Sequence, residues 1–211
     1  VDHPEDVFEA ASAELAERHP QIGRLYEQIG PCVLRAPQSD DFTALARAIV
    51  FQQLTGKAAL TIWGRVVAAL DGSTSPQRVA TASQEELRAA GLSRNKAASI
   101  KDLATKALEG SVPLMDMQDL SDEEIIERLS TVRGIGVWTA EMFLIFQLRR
   151  LDVWPVGDLG VRKGYARTFA LEAPPTPKEL DPLGEVFRPF RTVAAWYCWR
   201  AVETITPEGT S

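Results

Sequence analysis

Between Leu129 and Ala140 the chain reads LSTVRGIGVWTA. A charged stretch that begins at Ser121 runs into Gly134 and Gly136, which flank Ile135, and the apolar run EMFLIFQL follows. Glycines in so short a connection permit positive φ and close backbone approach, and they leave the first amides of the next helix free to face an anion. A DNA phosphate suits that geometry. The plainer alternative is an ordinary helix–helix turn, which a lone GxG in a helical protein usually marks.

Working outward, apolar residues recur at three- and four-residue spacing almost everywhere, and period-two alternation is scarce, so the chain reads as all-α. Phe42–Val50 is one helical run. Gln52–Leu70 is another, with Leu54, Ala58, Ile62, Val66 and Leu70 along one face, and Asp71-Gly72 ends it. Ser83 with Glu86, Ser121 with Glu124 and Thr176 with Glu179 have capping-box spacing, and Pro177 sits at a first helical position. Helices are predicted over about 84–90, 94–109, 122–130, 137–149, 159–170, 177–186 and 189–205, with a loop at 171–177. No repeat or long linker interrupts residues 1–211, which read as one unit.

Of the 211 residues 45% are apolar and 25% charged, an ordinary globular balance. No stretch approaches the roughly 20 apolar residues of a membrane span, and VDHPEDVFEAA lacks the features of a signal peptide. The expectation is therefore a soluble, cytoplasmic protein, associated with the nucleoid in a bacterium or nuclear in a eukaryote, with no membrane partner. Cys32 and Cys198 are too few for a disulfide scaffold, a cysteine-built zinc site or an iron–sulfur cluster. His3 and His19 lie near the N-terminus, so chemistry elsewhere rests on carboxylates, lysines or backbone groups, and no metal is implied.

The net charge of −6 taken alone argues against nucleic acid. It is unevenly placed. Residues 131–170 carry Arg133, Arg149, Arg150, Arg162, Lys163 and Arg167 against Glu141, Asp152 and Asp158, a balance of +3. Residues 91–110 carry Arg94, Lys96, Lys101 and Lys106 against Asp102 and Glu109, a balance of +2, which leaves −11 for the rest.

Twenty-two residues after Gly136, beyond Arg149-Arg150 and the extended DVWPVG segment, Asp158 opens another helix. A helix of ~12 residues rises ~18 Å, and the loop then lets the chain turn back, so Asp158 could lie near the hairpin. Its simplest role is an N-cap, and a catalytic role is compatible with that one.

Four pieces taken in order, ARAIVFQQLTGKAA, GLSRNKAASIKDLA, VRGIGVWTAEMFL and DVWPVGDLGVRKG, resemble the helix-hairpin-helix (HhH-GPD) DNA glycosylase superfamily. The resemblance is closer to its alkylbase branch, the AlkA-like DNA-3-methyladenine glycosylases, and covers roughly Phe42–Ala201. It implies a two-lobed helical fold with a central cleft. The hairpin motif would occupy about 121–149 and the catalytic loop about 151–163, with the N- and C-terminal helices sharing one lobe. It implies a monomeric enzyme that flips an alkylated base such as 3-methyladenine or 7-methylguanine out of duplex DNA and hydrolyses its N-glycosidic bond, leaving an abasic site.

By the same resemblance Asp158 is the catalytic carboxylate. Bifunctional relatives carry a lysine shortly after the hairpin, where this chain has Trp138, so no lyase activity is expected. The base pocket would use Trp138, Met142 and Phe190, and Gln52 and Gln53 fall in the region that approaches the flipped nucleotide in relatives, a surface pair or a buried polar network being the alternative reading. Trp154, Trp196, Tyr197 and Trp199 read as packing residues. Phosphates would be held by Arg133, Gly134, Ile135 and Gly136, with Arg162 and Lys163 adding charge. Leu92 and Arg94 are alternatives for the side chain that fills the hole left by flipping. In relatives the hairpin carbonyls can hold a monovalent cation; no other cofactor is implied. The competing readings are a glycosylase for mismatched or deaminated bases and a non-catalytic DNA-binding module.

Overall fold

The structure, a computed structural model, describes residues 4–204. His3, and the last residue of the helix expected to reach 205, lie outside the described residues. Every regular element described is helical. In order they are α1 (Pro4–Arg18), α2 (Pro20–Ile29), α3 (Asp41–Phe51), α4 (Gly56–Ala69), α5 (Pro76–Thr81), α6 (Gln84–Ala89), α7 (Arg94–Glu109), α8 (Asp122–Ser130), α9 (Val137–Phe146), α10 (Leu159–Thr168), α11 (Pro177–Leu183) and α12 (Arg191–Thr204), with 3-10 turns at Met117–Asp119 and Glu185–Phe187. The all-α class read from the sequence is the one observed. No helix among the described residues is long and apolar enough to cross a membrane.

The three capping boxes are real and reciprocal. Ser83, Ser121 and Thr176 each accept from the backbone N–H of the glutamate three residues on, and each glutamate returns the bond to the cap's own N–H. Other boundaries shift. The helix expected from Gln52 starts at Gly56, because Gln53 takes φ +57° and Thr55 becomes the N-cap. The buried face is accordingly Ala59, Val66 and Leu70, while Leu54 and Ala58 are exposed. α9 stops at Phe146, three residues early, and Arg149 follows at φ +56°. The short helix α5, begun by Ser75 and Pro76, has no apolar period to announce it.

The chain divides into two compact units, and the division falls within α9. One unit spans Pro37–Phe143. Its centre is α7, which packs against α3, α5 and α6. Phe42, Leu45 and Ile49 of α3 and Ile100 and Leu103 of α7 are almost wholly buried, each burial favouring the fold by about 1.5–3 kcal/mol before entropy is counted.

The other unit joins the residues up to Ala36 to those from Leu144 onward. Its centre is α12, packed against α1, α2 and α10. The α10 and α12 backbones meet at Gly164, where a Cβ would overlap the Cys198 carbonyl. The segment leading into α10 is tied down before it gets there. Thr192 Oγ1 accepts from Val153 N at 3.0 Å and donates to Arg150 O at 2.6 Å, and Asp152 receives both Arg188 and Arg191. Trp154, buried against Tyr165 and Phe187, donates from Nε1 to Leu180 O at 3.1 Å. The N-terminus of α10 is thus held at a defined place in this unit.

Candidate functional site

In the Pro37–Phe143 unit the hairpin sorts its amides into two sets. Arg133 N donates to Asp102 Oδ2 at 2.7 Å and Ile135 N to Val132 O at 3.0 Å. Gly134 and Gly136 are exposed residues, and their amides donate to no protein group among the described residues. Gly134 sits at φ +79° over Ser99, whose Oγ would be 2.8 Å from a Cβ placed there. Ile135 is 4% exposed and anchors the turn in the core. The Arg133 side chain is exposed and donates to Asn95 Oδ1 at 3.0 Å. Two N–H groups without a protein acceptor, on exposed residues beside an exposed arginine, form a surface suited to an anion.

Trp138 and Val137, in the first turn of α9, are 47% and 54% exposed, and Met142 one turn on is half-buried. Gln53 is exposed at the α3–α4 turn, beside Leu54. Leu92 is a different matter. At 5% exposure it belongs to the core, so it is not placed to enter a duplex, whereas Arg94 begins α7 in solvent.

The basicity of residues 91–110 is mostly committed inside the protein. Lys96 Nζ donates to Val50 O at 2.7 Å and Gln52 O at 2.6 Å, closing the end of α3. Lys101 does the same for Ala80 and Ala82 at the end of α5. Lys106 bonds Thr131 O, beyond α8, at 2.9 Å and pairs with Asp102 at 2.7 Å. Each ammonium therefore meets the negative end of a helix dipole. Burial lowers the Lys96 pKa, as expected for an ammonium drawn off the surface.

In the other unit Asp158 caps α10, its Oδ1 accepting from Val161 N at 2.8 Å. The same oxygen accepts from Trp199 Nε1 at 2.9 Å. Trp199 is stacked on Phe146, ring centroids 5.6 Å apart and planes 24° from parallel. Gly160 makes the approach feasible: a Cβ there would fall 2.9 Å from the indole and 3.0 Å from Oδ1. The carboxylate is thereby held by two donors on separate helices. Lys163 is exposed, whereas Arg162 is partly withdrawn, donating from Nε to Pro175 O at 2.6 Å. Phe190 is half-buried just before α12, its N–H on Phe187 O at 2.8 Å.

No group of His, Cys, Asp or Glu among the described residues is arranged to hold a metal ion. A cation at the hairpin would share Gly134 O with Gln52 Nε2, 2.9 Å away, and Val132 O with Ile135 N. Buried Cys32 and Cys198 have thiols pushed well up by desolvation, Cys32 to about 12, so neither is a nucleophile.

Residues 46–189, carrying both the hairpin and Asp158, match the HhH-GPD superfamily of base excision DNA repair proteins. The chain belongs to that superfamily. Among HhH-GPD relatives, DNA-3-methyladenine glycosylase 1 of Schizosaccharomyces pombe is 39% identical over 166 residues, 77% of this chain and 73% of that one. An alkylbase DNA glycosidase-like protein of the same yeast is 30% identical over 198 residues, 92% of this chain and 93% of that one. The solved structure of the S. pombe 3-methyladenine DNA glycosylase in complex with abasic DNA superposes with a TM-score of 0.79 at 34% identity, covering 96% of this chain and 100% of that one.

Three contributors to the site escaped the sequence. Trp199 sits in AAWYCWRAV, a stretch whose aromatics read as packing, and its bond to a residue 41 positions away leaves no local trace. Gly160 and Asp102 matter only through what they approach.

Proposed function

We propose that this HhH-GPD protein is a monofunctional DNA-3-methyladenine glycosylase, binding duplex DNA and releasing alkylated purines to leave an abasic site. The observation that carries the reading is the Asp158 carboxylate, fixed by Val161 N and Trp199 Nε1 within a matched HhH-GPD region.

Alkylation at a purine ring nitrogen makes the base a cation and a good leaving group. When the C1′–N bond breaks, its electron pair goes to the base, which departs neutral, and positive charge develops on the sugar. Asp158 stabilises that charge and orients the water that attacks C1′; the proton lost from the water passes to solvent or to the carboxylate. Trp138 stands where a lysine would follow the hairpin, and no lysine lies between Lys106 and Lys163, so hydrolysis rather than Schiff-base chemistry is the route.

Exposed Trp138 and, one turn on, Met142 support stacking on a cationic base, and the other unit supplies a half-buried aromatic ring in Phe190. The Gly134 and Gly136 amides, without a protein acceptor among the described residues, support phosphate binding together with exposed Arg133, and exposed Lys163 adds positive charge on the other unit. For the side chain that replaces the flipped nucleotide, exposure favours Arg94 or the Gln53-Leu54 turn over buried Leu92. The test is to incubate the protein with alkylated, deaminated and undamaged duplexes and score free base and abasic sites separately. Release confined to the alkylated duplex supports the reading; release confined to the deaminated one replaces it with a mismatch enzyme, and tight binding without release with a DNA-binding module.

A further inference from the structure

Two side chains hold the hairpin by its backbone, at groups other than the Gly134 and Gly136 amides. Asp102 on α7 accepts from Arg133 N at 2.7 Å while it pairs with Lys106, which in turn donates to Thr131 O at 2.9 Å. Gln52 donates from Nε2 to Gly134 O at 2.9 Å, and its own carbonyl is held by Lys96 at 2.6 Å. The peptide before Arg133 is held by its N–H and the peptide after Gly134 by its C=O, and the one between them carries the Gly134 amide. With Ile135 N satisfied by Val132 O, the amides of Gly134 and Gly136 are left without a protein acceptor among the described residues.

An acid under a surface meant for phosphate is otherwise hard to explain, since a bare carboxylate there would repel DNA. Here it is matched by Lys106 and bonded to a backbone N–H. Burial works against its charged form, but the Arg133 amide and Lys106 outweigh that and hold its pKa below the ordinary carboxylate value. Gln52 adds a second connection, because it lies in the same turn as exposed Gln53.

We propose that Asp102 and Gln52 are positioning residues that set the hairpin's phosphate-facing amides and tie them to the α3–α4 turn. The inference rests on the reading of this chain as a DNA glycosylase and concerns its grip rather than its bond-breaking step.

The experiment measures affinity for a duplex containing a stable abasic analogue, the single-turnover rate of 7-methylguanine release at saturating protein, and Tm, for wild type, Asp102→Ala, Asp102→Asn, Gln52→Ala and Gln52→Glu. Asp102→Ala and Gln52→Ala should each raise Kd about tenfold, the loss of one charge-assisted or one ordinary hydrogen bond at the hairpin, with the saturated rate within about twofold of wild type. Asp102→Asn keeps an acceptor for Arg133 N and should recover most of the affinity. Gln52→Glu sets an acceptor against Gly134 O and should bind no better than Gln52→Ala. Wild-type Kd in both alanine variants, or an asparagine variant as weak as Asp102→Ala, overturns the proposal. A wild-type protein that releases no base overturns the glycosylase reading instead, and the Kd comparison still decides the positioning role.

Discussion

Trp199 Nε1 lies 2.9 Å from Asp158 Oδ1, and the carboxylate oxygen it meets is the one that also caps α10. A single oxygen therefore serves the helix and the indole together. Stacking of Trp199 on Phe146 fixes the ring plane, and with it the direction of the N–H.

Trp199→Phe keeps the stacking face and deletes the donor. The saturated rate of base release is expected to fall about tenfold, with abasic-DNA affinity and Tm close to wild type. A wild-type rate in this variant would leave the bond without a functional consequence.

The glycines of α10 separate stability from activity. Gly164→Ala drives a methyl group into the Cys198 carbonyl, and a collision with backbone has little room to relax, so a loss of about 3 kcal/mol or more is expected in chemical denaturation. Gly160→Ala meets the edge of Trp199 instead, which can shift. It should cost less stability, about 1–2 kcal/mol, yet slow base release at least as much as Trp199→Phe, because displacing the indole disturbs Asp158. Equal Tm for the two variants would contradict the packing described here.

Gly134→Ala must hold a left-handed φ and crowd Ser99. The left-handed conformation alone costs about 1–2 kcal/mol, so Kd for an abasic duplex is expected to rise roughly tenfold. Wild-type binding itself should weaken steeply with salt, as phosphate contacts require. An affinity unchanged by salt would remove the hairpin from the DNA interface.

Borohydride reduction during reaction with alkylated DNA should trap no covalent protein–DNA adduct, because Trp138 stands where an amine nucleophile would be needed. Gel-shifted adduct on denaturing electrophoresis would establish lyase chemistry and end the monofunctional assignment.

How far the sequence reveals this protein depends on how local each signal is. Ser121 with Glu124 and Thr176 with Glu179 are caps written within four residues, and they fold as read. The GIG turn and Asp158 as the start of α10 are equally local. α4 starts later than its apolar period predicts because the left-handed Gln53 is a choice made by tertiary contacts, with Lys96 drawing on the Gln52 carbonyl. The lysines of α7 count in the sequence only as a local positive balance, because sequence gives their sign and not their direction; three helix ends claim them. Leu92 and Trp199 exchanged roles for the same reason, one apolar side chain being buried by its neighbours and one packing aromatic meeting a carboxylate.

The central claim is that the Asp158 carboxylate drives the loss of the base. Single-turnover release of 7-methylguanine from a methylated duplex, compared between wild type and Asp158→Asn, tests it directly. Asparagine keeps an oxygen to accept from Val161 N and Trp199 Nε1, so folding and abasic-DNA binding should persist. The predicted result is a rate lowered by about 10²–10³-fold or more. An Asp158→Asn protein that releases base at the wild-type rate would contradict the account.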